Sequence, residues 1–213
     1  MTPQVWPVIH VRDTKTAAAN ARIAQACGCT GVFLISMHGD DRTLKPVKAA
    51  LNRLLPGFKV GANFLSLDCD QAVLRSIADG YDSTWADDAW QHTDIHQWSG
   101  SHPFFAAVAF KGSTYRDPHP ERTAREAVAR GFIPMTSGSG TGVAASISKI
   151  AGLREALGPD APLAMSGVDV SRMDELAPLV SHFLIATCIS KDFYQFDEAM
   201  LSNFMTKMKG ATS

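Results

Sequence analysis

A chain of 213 residues that is 46% hydrophobic and 19% charged has enough apolar material for one compact core, and its 11 prolines are too few for a disordered or fibrous chain. Twenty Lys and Arg stand against 21 Asp and Glu, a net charge of −1 that lacks the basic excess needed to neutralise a nucleic-acid backbone. No apolar run approaches the roughly 20 residues that span a bilayer, the first residues lack the regions of a signal peptide, and Cys27, Cys29, Cys69 and Cys188 form no CxxC pair. The expectation is a cytoplasmic protein with reduced thiols, no membrane insertion and no nucleic-acid partner.

Short apolar runs alternate along the chain with amphipathic stretches. The pattern predicts strands at 5–11, 31–36, 59–66, 82–87, 103–110, 132–136, 162–168 and 182–187. Helices are predicted at 14–27, 44–55, 71–78, 121–129, 144–157, 171–179 and 197–209. Asp13 and Asp68 stand where helix caps belong, and Ser171 with Asp174 and Glu175 reads as a capping box. Gly28, Gly57, Gly80, Gly131 and Gly158 follow helix ends. Runs such as Val32-Phe33-Leu34-Ile35 are apolar throughout, as in a parallel sheet covered by helices.

Eight such units spaced about 20 to 30 residues apart predict a minimal (β/α)8 barrel occupying residues 1–213 as one domain. An open doubly wound sheet is the alternative, but Arg12-Asp13-Thr14-Lys15 follows the first strand in place of a dinucleotide-binding glycine fingerprint. The fourth unit is irregular. Residues 88–102, with His92, His96, His102, Trp90 and Trp98, read either as a shortened helix under aromatic cover or as a functional loop or subunit contact.

In a barrel the chemistry gathers where strands hand over to the following loops. Those handovers carry His10, His38 with Asp40, Asn63, Asp87 with Asp88, and Lys111. Lys111 ends an otherwise apolar strand, a position suited to a general base, a Schiff-base amine or an electrostatic clamp. Asp87 is its candidate carboxylate partner, Asn63 a hydrogen-bonding orienter and His10 a further polar group at the mouth. His10, His38, Asp40 and Asp87 also make a loose His/carboxylate set for a divalent ion, without a diagnostic spacing, so neither metal nor cofactor is expected.

The strongest local motif is Thr136-Ser-Gly-Ser-Gly-Thr-Gly-Val143, where glycines let backbone amides approach an anion. Ser137, Gly138, Gly140, Thr141 and Gly142 are therefore candidate phosphate-binding residues. Ser166-Gly167 and the 187–191 segment, with Thr187 and Lys191, repeat the theme after strands seven and eight.

These residues carry a resemblance. From Pro7-Val-Ile-His10 through Gly61-Ala-Asn-Phe64, the glycine-rich loop, Ala164-Met-Ser-Gly-Val168 and Ala186-Thr-Cys-Ile-Ser-Lys191, nearly the whole chain resembles the BtpA/SgcQ family of single-domain barrels. The resemblance implies the barrel and a phosphate-end site built on Gly138, Gly140, Gly142, Ser166, Gly167, Thr187 and Lys191. Strand two departs from that family's pattern, since Ser36-Met-His-Gly-Asp40 matches it only at Gly39 and Asp40.

Three functions follow as expectations. The first is a lyase or isomerase that acts on a phosphorylated small molecule, a sugar phosphate or nucleotide-like compound, by proton transfer or carbon–carbon chemistry. The second, implied by the association of the family's founding member with photosystem I biogenesis, is a non-catalytic assembly factor that grips a partner through Trp90, Ile95 and Trp98. The third is a metal-assisted hydrolase or nucleosidase using His10, His38 and Asp87. The aromatic loop also suits a contact between two copies, so the expected assembly is a homodimer.

Overall fold

The computed structural model describes residues 2–88, 90, 102–113, 116–140 and 142–212. Eight parallel strands close into a barrel in sequence order, with the first paired to the last. They are β1 (Gln4–His10), β2 (Gly31–Ile35), β3 (Lys59–Asn63), β4 (Ser83–Ala86), β5 (Phe104–Ala107), β6 (Ile133–Thr136), β7 (Ala164–Ser166) and β8 (His182–Ile185). Around them lie α1 (Thr14–Ala26), α2 (Leu44–Leu54), α3 (Cys69–Ala78), α4 (Pro120–Ala129), α5 (Ile147–Leu157), α6 (Met173–Leu176) and α7 (Glu198–Gly210).

The helix punctuation works as the residue types demand. Asp13 accepts from Thr16 N at 2.7 Å and Asp68 from Gln71 N at 2.8 Å, each satisfying an amide that has no partner inside its helix. After β7 the cap is Asp169, which accepts from both the amide and the hydroxyl of Ser171, so the capping box expected at Ser171 is corrected. The stretch 171–179 is accordingly a four-residue α6 between two 3-10 turns.

The barrel interior is packed with aromatics. Trp6 and Phe33 meet at 5.3 Å between ring centres, Phe33 and Phe105 at 5.3 Å, and Phe33 and Trp85 at 6.0 Å. Rings of that size fit only because neighbouring strands carry no side chain at two positions. A Cβ on Gly31 would lie 2.6 Å from the Trp6 ring, and one on Gly61 would run into Phe33 and Ser83. A second, larger apolar layer between sheet and helices includes Ile9, Leu34, Leu51, Met165, Phe183 and Phe204.

Trp90 is fully buried against Phe132, with its indole N–H donating to Ala107 O at 2.9 Å and the Arg130 guanidinium 4.9 Å above its ring. It is a structural plug under β4 and β5, which corrects its assignment as an exposed partner contact. Ile95, Trp98, His92 and His96 lie outside the described residues. His102 sits against Thr84 Oγ1 at 2.7 Å.

His182 begins β8 inside the sheet, beside the Phe105 ring and bonded through Nδ1 to Ser181 Oγ at 2.7 Å. Burial pushes its pKa from 6.5 down to about 4. The unfolded chain therefore takes up a proton below pH 6.5 that the folded chain refuses until about pH 4, so stability is lost as pH falls through that window, by about 3 kcal/mol for two to three units. Replacing His182 by Gln is expected to raise the melting temperature relative to the parent increasingly as pH falls from 7 to 4.5. A difference between variant and parent that does not change with pH places the acid sensitivity elsewhere.

Candidate active site

The loops at the carboxyl ends of the strands surround a cavity of about 780 Å³. Its wall includes His10, Asp87, Lys111, Gly140, Gly142, Ser166, Gly167 and Thr187, eight of the residues singled out in the sequence. Thr141 lies outside the described residues.

Asp87 follows β4 and is the most perturbed acid at the mouth. Burial pushes its carboxyl from 3.8 up to about 6 against the pull of a hydrogen bond from Asn63 Nδ2 at 3.1 Å and of the Lys111 ammonium. The Trp85 indole N–H also favours the ionised form, without completing a well-formed hydrogen bond. Gly112, next to Lys111, packs so tightly on Asp87 that a Cβ there would approach Oδ2 to 2.5 Å. Asn63, buried at the end of β3, thus supports the acid from beneath and is not part of the cavity wall.

His10 closes β1. Its Nδ1–H donates to Phe193 O at 2.9 Å and its ring stacks on the Phe193 ring at 4.2 Å. Burial and the Lys111 charge lower its pKa against the effect of the Phe193 bond, which keeps the imidazole neutral with Nε2 as the lone-pair nitrogen.

Lys111 reaches the cavity by a bend the sequence did not show. The fifth strand ends at Ala107, and Ala109 takes a left-handed φ of +46°, strained for a residue with a Cβ. The bend is held from behind by Lys149 on α5, whose Nζ donates to Ala109 O and to Ser137 O, each at 2.7 Å. Lys111 N in turn donates to Ser137 Oγ at 2.9 Å. Lys149 is the site residue that sequence reading missed, because nothing in its local pattern distinguishes it from a helix-surface lysine.

Two predicted phosphate residues have structural contacts of their own. Ser137 is fully buried and its hydroxyl is spent on Lys111 N and Gly138 O. Gly138 has no side chain because the Val143 carbonyl occupies that space, and the same carbonyl would lie 2.8 Å from a Cβ on Gly167. The glycine-rich loop is thus clamped onto the β7 loop through Val143, an arrangement completed by Ala145 N donating to Gly167 O at 3.2 Å. Lys191 is exposed and outside the cavity wall, its amide turned to Gln195 O.

Ser166 ends β7 with a buried hydroxyl that has no partner among the described residues, and it faces the cavity together with Gly140, Gly142, Gly167 and Thr187. A buried polar group without a partner is costly unless a ligand or water satisfies it. Cys188 lines the same wall, but burial pushes its thiol up to about 11, so it is no thiolate nucleophile at neutral pH. His38 and Asp40 line a separate hollow of about 430 Å³, and among the described residues no three His, Cys, Asp or Glu side chains converge as metal ligands would. The set drawn from His10, His38, Asp40 and Asp87 is not brought together.

No protein-family profile matches the chain, and no curated protein is similar to it. Solved structures do share its fold. Orotidine 5'-phosphate decarboxylase from Pyrococcus horikoshii aligns with a TM-score of 0.74 at 10% identity, over 97% of this chain and 100% of that one. Phosphoribosyl anthranilate isomerase from Thermus thermophilus aligns with a TM-score of 0.72 at 13% identity, over 97% and 98%. A 3-hexulose-6-phosphate synthase gives 0.70 at 14%, over 96% and 99%. At such identities the likeness establishes the (β/α)8 barrel.

Proposed function

We propose that this protein is an enzyme that moves a proton on a phosphorylated small molecule, with lyase or isomerase chemistry at the carboxyl end of the barrel. The observation that carries the reading is the single cavity in which Asp87, raised to about 6 beside Lys111, faces the same space as the unpartnered Ser166 hydroxyl and the small residues Gly140, Gly142, Gly167 and Thr187. Asp87 is the base, since a carboxyl near pH 6 is both ionised at neutral pH and basic enough to take a proton. Lys111 supplies positive charge for the oxygen that turns negative as the proton leaves. Asn63 fixes the carboxylate, and the β6, β7 and β8 loops hold the phosphate.

The names of the three similar structures, each an enzyme of a phosphorylated compound, support this reading. The assembly-factor alternative loses Trp90 as an anchor, because that ring is inside the fold.

A panel of inorganic phosphate, sugar phosphates and nucleotides, read by thermal unfolding, tests the phosphate end. A ligand at about 100 times its Kd is expected to stabilise by about 2.7 kcal/mol. Gly140→Leu should remove that gain, and the Cβ it adds meets nothing closer than 3.7 Å. Stabilisation that survives in Gly140→Leu places the phosphate elsewhere, and no response to any phosphate removes the proposal.

A further inference from the structure

We infer that the body of the phosphorylated ligand is a flat, unsaturated ring carrying a hydrogen-bond acceptor, not an open polyol. This rests on the phosphate reading above and concerns the rest of the same cavity. Between the Lys111 side and the glycine loops the wall is apolar, made by Val8, Ile35 and Leu184 below and by Met37 and Phe193 at the rim. Those last two remain 46% and 50% exposed, large apolar side chains left in solvent at the one place a ligand would cover them.

Several polar atoms along the β8 side are already engaged. Ser190 Oγ donates to Ala186 O at 2.8 Å, and Asp192 Oδ1 accepts from Tyr194 N and Gln195 N, both at 2.8 Å. His10 Nδ1 is taken by Phe193 O. A chain of hydroxyls laid against Val8, Ile35, Leu184, Met37 and Phe193 would lose water without finding partners there, whereas a ring would lose little. The indole N–H of Trp85 points the same way: it is buried in the cavity wall beside the Asp87 carboxylate without completing a hydrogen bond among the described residues, and since it can only donate, an acceptor on the ligand would complete it.

The rim ring is held ready. Asn20 on α1 donates to Tyr194 O at 2.8 Å and accepts from Phe196 N at 3.0 Å, and Ser190 bridges to Phe196, so Phe193 sits in a loop tied down at both ends. A surface ordered in advance binds a ring face at little entropic cost.

The test compares Kd values for benzyl phosphate, ribose 5-phosphate and inorganic phosphate by calorimetry on the intact protein at pH 7.5. Benzyl phosphate is expected to bind at least tenfold more tightly than ribose 5-phosphate, which should resemble inorganic phosphate. The double change Met37→Ser with Phe193→Ser, at half-exposed positions, should shrink that preference below about threefold. Ribose 5-phosphate binding as tightly as benzyl phosphate overturns the ring inference while leaving the phosphate site intact. A preference that persists in the double variant also overturns it, and failure of all three ligands to bind removes the phosphate reading with it.

Discussion

Replacing Asp87 by Asn is expected to make the protein more stable and far less active. The carboxyl is held about two units above its ordinary value, chiefly because it is buried, so at neutral pH the folded state carries an ionised group that would be better solvated in the unfolded chain. Between about pH 4 and pH 6 the folded protein binds a proton that the unfolded chain has released, which means stability declines as pH rises through that window. Above it the full penalty is present, about 3 kcal/mol for a shift of this size.

Asparagine resembles the protonated acid in shape and carries no charge. The variant should therefore unfold roughly 6–12 °C higher than the parent at pH 7.5, and the gap should close by pH 4. Loss of the base should lower turnover by about 10² to 10⁴ once a substrate is in hand. A variant less stable than the parent at pH 7.5 would show that the ionised Asp87 is a net stabiliser, and the site would lose its perturbed acid. The opposite pH trend from His182 covers nearly the same window, so the comparison must be between variant and parent at each pH.

Lys149→Met is the second large effect. Methionine keeps the length of the side chain and removes the donor, leaving the carbonyls of Ala109 and Ser137 without their 2.7 Å partners and the left-handed Ala109 without support. Bonds to a charged donor contribute about 1.5–3 kcal/mol each, offset in part by no longer burying the ammonium, for a net loss of about 3 kcal/mol. The informative readout is Asp87. With the bend slack, Lys111 no longer holds its charge near the carboxylate, and the Asp87 midpoint followed by carbon NMR should climb above about 6. Lys149→Arg, which keeps the charge and the donors, should restore much of that midpoint. A variant that loses stability but leaves the Asp87 midpoint in place would make Lys149 a packing residue only.

The barrel was legible because its signals are local. Continuous apolar runs such as Val32–Ile35 and glycines such as Gly28 and Gly158, which take left-handed φ values of +80° and +79° just past their helices, mark each unit without reference to the rest of the chain. The partnership of Asp87 with Lys111 and Asn63 was legible from position alone, since consecutive parallel strands in a closed barrel deliver their ends to one mouth. What escaped depends on long-range contacts. The apolar run 108–110 reads as more strand, yet the backbone turns at Ala109 because a lysine 40 residues later draws its carbonyl away. Ser137 and Gly138 look like ligand-binding residues by type, and only the bonds of Ser137 Oγ to Lys111 N and Gly138 O and the position of the Val143 carbonyl reveal that one is a strut and the other a gap for a carbonyl. Trp90 stands in a polar stretch of sequence, and its burial is decided by Phe132 and Arg130, which come from another unit.

An anion held across the β6, β7 and β8 loops, within the cavity that contains Asp87 and Lys111, is tested most directly by titrating nitrogen-15-labelled protein with inorganic phosphate at pH 7.5 and following backbone amides. Saturable shifts are predicted at Gly140, Gly142, Gly167 and Thr187, all four on the cavity wall. Shifts confined to exposed residues away from that wall, such as Lys191, or none at all, would contradict the site.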